Sequence, residues 1–243
     1  MTQPLLSLII PAYNEEHRLP DTLKKVLSFL DEQDFSSDIW VVDNASTDAT
    51  PEIIAEYARK STRVQALAES QPGKGAAVRK GMLEAGGKFR FMADADLSMP
   101  IEEITRFLPP RLGDAEVAIA SREAAGAVRY GEPAYRHLGG RMMNWLIQAL
   151  ALPGLQDTQC GFKCFSGPAA EDLFHHQTLT GWSFDIEILY IARLRGYQIQ
   201  EIPIPWYYRQ ESKVQAVRDA LKIITDIIRI RLNSRKGVYA PED

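Results

Sequence analysis

In the first half of the chain, short apolar runs alternate with stretches whose apolar residues recur every three or four positions. Residues 5–10 (LLSLII) predict a buried strand. Residues 18–33 place Leu19, Leu23, Val26, Leu27 and Leu30 on one face and predict a helix. Further strands are predicted over 38–43, 63–68, 88–93 and 116–120. Thr50 and Pro51 predict the N-cap and first residue of a helix reaching about Lys60. The loop SQPGKG leads into a helix from about Ala76 to Ala85, stopped by Gly86-Gly87. The second half is less regular. It predicts helices over 135–152, 183–195 and 214–232, and strands over 161–165 and 198–202. In 135–152, Leu138, Met142, Trp145, Leu146 and Ala149 share one side. Repeated strand–helix units predict an α/β fold: a mostly parallel central sheet, helices on both faces and right-handed crossovers. No repeat, low-complexity tract or linker interrupts the chain, so residues 1–243 are expected to form one domain.

Composition narrows the function. The chain has 28 Lys+Arg against 32 Asp+Glu, a net charge of −4, which argues against a general nucleic-acid binder. Its two cysteines, Cys160 and Cys164, are too few for a disulfide framework or a self-contained zinc site, and a reducing, cytoplasmic setting is expected. The start, MTQPLLSLIIPAYNEE, has neither a basic n-region nor a small-residue cleavage site, so no secretory signal is expected. The uncharged run 142–156 contains Asn144, Gln148, Pro153 and Gly154 and falls short of the ~20 apolar residues of a membrane span.

Open α/β sheets bind ligands at the carboxyl ends of their strands. Three polar clusters are predicted there: Pro11-Ala12-Tyr13-Asn14-Glu15, Asp43 to Asp48, and Asp94-Ala95-Asp96. Asp94 and Asp96 are two apart. Strand alternation would send both to one side, where like charges call for a cation. Mg²⁺ or Mn²⁺, with oxygen ligands and substrate phosphates, fits that need; a surface turn is the plainer alternative. Gln71 to Gly75 (QPGKG) reads either as a phosphate cradle with Lys74 or as an ordinary turn before a helix. The four histidines lack ligand spacing and read as surface or capping residues. Glu187 reads either as a cap or orienting group for the catalytic loop or, more plainly, as structural. In 214–232, Val214, Val217, Leu221, Ile224 and Ile228 alternate with Arg218, Lys222, Arg229 and Arg231. This amphipathic helix either packs on the core or lies on an anionic membrane surface.

The ordered set LIIPAYNEE, VVDNASTDAT, PGKGAAVRKG, MADADL, ASR, DTQCGFKCF, WSFDIEIL, EIPIPW and ESKV resembles glycosyltransferase family 2, with the GT-A fold, over nearly the whole chain. It is most similar to the subgroup that makes polyprenyl-phosphate sugars, the dolichyl-phosphate glucosyltransferases and dolichol-phosphate mannose synthases, and DTQCGFK is most like the glucosyl members. The resemblance implies an inverting, metal-dependent transfer of glucose from UDP-glucose to a polyprenyl phosphate, with residues up to about 122 binding the nucleotide sugar and the remainder the acceptor. It implies donor contacts from Pro11, Ala12, Tyr13, Glu15, Asp43, Lys74, Asp94, Ala95 and Asp96. Asp96 would be the direct metal ligand, with Asp94 on the ribose or the metal's waters. Arg122, Arg136, Arg209, Ser212 and Lys213 would gather the acceptor phosphate, and Asp157 is the acceptor-side carboxylate. Asp157 would be a general base toward a hydroxyl. Toward a phosphomonoester, already ionised above a second pKa of ~6, it would rather orient the acceptor. GDP-mannose as donor, a saccharide hydroxyl as acceptor, and a nucleotide-sugar-binding regulator without turnover are the rival readings. Relatives with transmembrane helices have an anchor that these 243 residues do not predict, leaving a peripheral membrane contact.

Overall fold

The structure, a computed structural model, describes residues 3–208 and 216–240; for Tyr135, Arg136, Leu138 and 216–220 it describes the backbone. Strands β1 (Leu6–Ala12), β2 (Ser37–Asp43), β3 (Val64–Ala68) and β4 (Phe89–Ala93) alternate with helices α1 (Leu19–Asp31), α2 (Thr50–Lys60) and α3 (Lys74–Glu84). A 3-10 segment, Ile101–Phe107, leads to β5 (Val117–Ser121) and the short β6 (Val128–Tyr130). Helix α4 (Ala134–Leu150), β7 (Phe162–Ser166), α5 (Gly167–His175), α6 (Phe184–Leu194), β8 (Ile199–Pro203), β9 (Pro205–Tyr207) and α7 (Ala216–Arg235) follow.

Seven strands form one sheet in the order β3-β2-β1-β4-β7-β5-β8, and β6 pairs with β9 in a separate ribbon. All neighbours in the large sheet are parallel except those of β7, which runs antiparallel to β4 and β5. The mostly parallel sheet agrees with the sequence pattern. Alternation along β1 divides the core: Leu6, Leu8 and Ile10 face α1, α2 and the 3-10 segment, while Ile9 faces the layer containing α3, α5 and α6. Both faces are therefore covered, as a parallel sheet requires.

Three expectations change. Thr50 and Pro51 are the first two helical residues of α2 and Ala49 holds the N-cap position, because the Asp48 carboxylate already accepts from Thr50 N (3.0 Å). The sequence pattern assigns no element between residues 165 and 183; there the structure forms α5, capped by Ser166. The apolar side of α4 is not its packed side: Met142 and Trp145 are 69% and 67% exposed, while Asn144 and Ile147 are buried.

Candidate active site at the carboxyl edge of the sheet

Because β2, β1 and β4 are parallel neighbours, the three polar clusters emerge at one edge. They are tied together there. Asn14 N donates to Ser46 Oγ (3.0 Å), Thr47 N to Asn14 Oδ1 (2.8 Å), and Glu15 N to Thr50 Oγ1 (2.8 Å). The Asp43 carboxylate accepts from Ser46 N (3.3 Å). Glu15 pairs with Arg18 at 3.1 Å. Tyr13 is half exposed at the mouth, and Pro11 and Ala12 end β1 beneath it. Asn44 and Ala45 lie one strand over; Asn44 Oδ1 accepts from Gly73 N (2.8 Å) and its amide donates to Gln71 O (2.7 Å), which pins the PGKG loop to the edge.

That loop delivers Lys74. Gly73 has φ +125°, and a Cβ there would lie 2.2 Å from Thr180 O, so only glycine fits. Lys74 opens α3, and its ammonium meets Asp94 Oδ1 at 2.5 Å and sits 5.1 Å from the ring centre of Trp182. Asp94 and Asp96 do not extend β4. The strand ends at Ala93 and the two acids lie in a turn, where Leu97 N donates to Asp94 O (3.2 Å) and Ser98 N to Asp96 Oδ1 (2.9 Å). Strand alternation is thus not what brings them together. The turn is anchored by Ala95 O, which accepts from Thr22 Oγ1 (2.6 Å). Gly161 lies against Asp94 so closely that a Cβ would stand 1.9 Å from Oδ2.

Two further residues join this group. Asp185, at the start of α6, is buried and pairs with the buried Lys163 of β7 at 2.5 Å. Burial works to lower the Lys74 pKa, but Asp94, Asp185 and Asp96 outweigh it and hold the ammonium above its usual range. Burial pushes the Asp94 carboxyl up, and Asp96 and Asp185 add to that, against the pull of Lys74. Three carboxylates, Asp94, Asp96 and Asp185, face two ammonium groups, Lys74 and Lys163, a balance that favours one more positive charge. No group of three or more Asp, Glu, His or Cys able to hold a metal ion by themselves occurs among the described residues. A cation here would therefore need oxygens from a bound diphosphate, the coordination that Mg²⁺ and Mn²⁺ favour.

Antiparallel β7 sets up the second half of the edge. Its amino end lies beside the carboxyl ends of β4 and β5, so the preceding loop carries Asp157 to the place where Arg122 leaves β5. Asp157 is fully buried. Its Oδ2 accepts from Arg122 N (3.0 Å) and Nε (2.6 Å), and Oδ1 from Nη2 (2.9 Å). Burial alone would raise the Asp157 pKa; the Arg122 guanidinium outweighs it and holds the carboxyl below its usual value. Arg122 also lies 5.5 Å over Trp206 of β9. Arg129, braced by Glu123 (2.5 Å) and Glu132 (2.6 Å), donates from Nε to Arg122 O (3.2 Å). Tyr207 N donates to Ser98 O (2.8 Å), linking this ribbon to the Asp96 turn.

The chain matches the family model for Glycosyl transferase family 2 over residues 7–173. It belongs to glycosyltransferase family 2. It is 31% identical to the dolichyl-phosphate beta-glucosyltransferase of Dictyostelium discoideum, covering 96% of this chain and 76% of that protein. To the Homo sapiens enzyme of the same name it is 32% identical, covering 98% and 78%. Glucosyl-3-phosphoglycerate synthase from Mycobacterium tuberculosis, solved with Mn²⁺, uridine diphosphate and phosphoglyceric acid, shares the fold with a TM-score of 0.66 at 16% identity over 99% of this chain and 80% of that one.

For a family 2 glycosyltransferase, the edge holds most of the residues expected from sequence: Pro11 to Glu15, Asp43, Lys74, Asp94 to Asp96, Arg122 and Asp157. Arg209, Ser212 and Lys213, and the side chain of Arg136, lie outside the described residues. Asp185 and Lys163 had no sequence signal beyond the motifs that contain them, because a lysine inside an apolar strand and an acid inside a helix read as ordinary. Glu187, expected to be structural, is: fully buried, it accepts from Thr178 N (3.0 Å), Leu179 N (2.7 Å) and Tyr239 Oη (2.6 Å), fixing the loop against which Gly73 packs. His175 and His176 bond back to the Glu171 and Asp172 carbonyls, His17 is an exposed neighbour of Glu16, and His137 approaches Glu123 at 3.9 Å.

Proposed function

We propose that this glycosyltransferase moves glucose from UDP-glucose to the phosphate of a dolichyl or similar polyprenyl phosphate, with inversion at the anomeric carbon. The names of its relatives point to this donor and acceptor, and the site is built to serve both. The observation that carries the reading is the placing of two anion-handling centres on one edge: Lys74 with Asp94 and Asp96 after β4, and Arg122 after β5. One strand, β7, separates β4 from β5, a distance of about 10 Å at ordinary strand spacing. A hexose fits between a donor diphosphate at the first centre and an acceptor phosphate at the second.

In the reaction, a phosphate oxygen of the acceptor attacks the anomeric carbon as the bond to the nucleoside diphosphate breaks. Pro11 to Glu15 and Asp43 would seat the nucleoside, and Lys74 would meet the diphosphate. Asp94 and Asp96 would hold a divalent cation, Mg²⁺ or Mn²⁺, which offsets charge developing on the leaving diphosphate. The acceptor is already ionised near neutral pH and needs no base. Asp157, buried and paired with Arg122, is poorly suited to take a proton and well suited to hold the guanidinium. Arg136, Arg209, Ser212 and Lys213 belong to this acceptor reading on sequence grounds alone.

No helix among the described residues is long and apolar enough to cross a membrane. We place the enzyme peripherally on the cytoplasmic side of one, through α4 and α7, which pack together through Arg231 Nη1 on Leu150 O (3.1 Å). Met142 and Trp145 on α4, and Leu221, Ile228 and Leu232 on α7, are exposed.

Transfer assays with labelled UDP-glucose or GDP-mannose decide the donor, and polyprenyl phosphate, unphosphorylated polyprenol and oligosaccharide decide the acceptor. The expected outcome is metal-dependent labelling of the lipid phosphate from UDP-glucose alone. A clear preference for GDP-mannose, or transfer only to saccharide hydroxyls, would overturn the donor or the acceptor assignment respectively.

A further inference from the structure

The Arg122–Asp157 pair is held from behind by Glu201, the first residue of EIPIPW, to which the sequence pattern assigns no role. Glu201 sits in β8, the parallel neighbour of β5, two residues before the strand ends. Its carboxylate accepts from two successive backbone amides: Gln156 N (3.0 and 2.9 Å to its two oxygens) and Asp157 N (3.0 Å). A carboxylate receiving two charge-assisted bonds fixes the peptide that carries Asp157. Asp157 in turn fixes Arg122 through both its backbone amide and its guanidinium. Two of the five guanidinium N–H groups go to Asp157, leaving three for a ligand. Trp206 lies against the guanidinium at 5.5 Å, and Arg129 holds the Arg122 carbonyl, so the side chain is constrained from several directions.

We propose that Glu201 is a positioning residue for the acceptor phosphate: it acts through the Asp157 peptide to hold Arg122 with its remaining N–H groups aimed at the acceptor. This rests on the reading of Arg122 as an acceptor contact. Glu201 touches no substrate. Its effect reaches the reaction only along β8, the 156–157 peptide and Arg122. Such a role predicts a kinetic pattern that a general loss of stability does not produce.

The test is steady-state kinetics with UDP-glucose and a short polyprenyl phosphate on the wild-type enzyme, Glu201→Gln, Arg122→Ala and the double variant, with thermal melting and UDP affinity alongside. The amide side chain in Glu201→Gln keeps one acceptor oxygen but carries no charge, so the bonds from Gln156 N and Asp157 N lose their charge assistance and one oxygen contact is lost. The expected result is a roughly tenfold rise in the acceptor KM with the donor KM and UDP affinity unchanged. In the Arg122→Ala background, Glu201→Gln should add almost nothing, because the residue through which it acts is gone. If Arg122→Ala weakens the acceptor but Glu201→Gln does not, or if the two effects simply add, the positioning role is overturned and the acceptor reading stands. If Arg122→Ala leaves the acceptor KM unchanged, the acceptor reading falls, and this inference with it. Should Glu201→Gln not fold, Glu201→Asp, too short to span both amides, carries the same comparison.

Discussion

Gly161 shows how one missing side chain protects a charged centre. Its backbone is not in a left-handed conformation, yet a methyl group there would stand 1.9 Å from Asp94 Oδ2 and 2.3 Å from Cγ. Gly161→Ala should therefore displace the Asp94 carboxylate from Lys74 while the β7 backbone holds. The expected outcome is metal-dependent UDP affinity lowered by about tenfold or more, with a stability loss of only about 1–2 kcal/mol. Calorimetric titration and thermal melting check both; full affinity in a folded variant would refute the packing argument. Gly139→Ala is the contrast. Its Cβ would meet nothing within 4 Å inside α4, so it should stabilise by roughly 0.5–1 kcal/mol. At this scale the sequence announced the acids and Lys74 well, because unpaired polar clusters at strand ends stand out. It could not announce what they touch. Lys74 on Asp94, Lys163 on Asp185 and Arg122 on Asp157 are pairings between segments 20 to 35 residues apart, and no local pattern encodes them.

Elements were legible where periodicity was strong. Strands β1 to β5 follow the apolar pattern closely because they are buried within the sheet, and α1 and α2 because each packs one regular face against it. The irregular pieces were not legible. Strands β6 and β9 have three residues each, too short for alternation to register, and α5 opens with Gly167-Pro168, which reads as a turn until Ser166 caps it. Helix α4 was legible as a helix but not in its orientation, because its exposed face is as apolar as its packed one. That surplus defines a prediction. On α7, Leu221, Ile228 and Leu232 form one stripe by helical spacing, flanked by the exposed Lys222, Arg229, Arg231 and Arg235. Asp226, on the same helix, is buried and paired with Lys222 at 3.3 Å. In a chain of net charge −4, an apolar stripe with basic flanks suits an anionic lipid surface. Vesicles containing phosphatidylserine should sediment the protein and neutral vesicles should not, with binding weakened by salt. Trp145→Ser together with Ile228→Ser should reduce binding at least about tenfold while leaving the melting temperature nearly unchanged. Equal binding to neutral and anionic vesicles would remove the electrostatic part of the argument.

At the scale of the whole molecule, the seam through β4, β7, β5 and β8 joins the early strand–helix repeats to the irregular second half, and Asp157 is the buried charge that stitches it. We read residues 1–243 as one domain, which predicts a single cooperative unfolding transition in calorimetry. The acid limb of its stability is set in part by this pair. Asp157 faces Arg122 directly, with Lys163 as a more distant cation and Cys160 beside it, and its folded pKa lies below the unfolded value of 3.8. A depressed carboxyl stabilises the fold when ionised, so its contribution is present above about pH 4 and is lost as pH falls through the folded value. Near pH 7, Asp157→Asn leaves the Arg122 guanidinium without its counter-charge and should cost about 3 kcal/mol, lowering the melting temperature by roughly 6–12 °C. As the pH is lowered below 4, the wild-type protein should lose stability faster than the variant, so the gap between them narrows. One domain further requires that Asp157→Asn move the whole transition and not split it in two. Melting curves of both proteins between pH 7 and about 2.5 test this: a gap independent of pH would show that the Arg122–Asp157 charge pair does not hold the seam, and that the loss comes from packing alone.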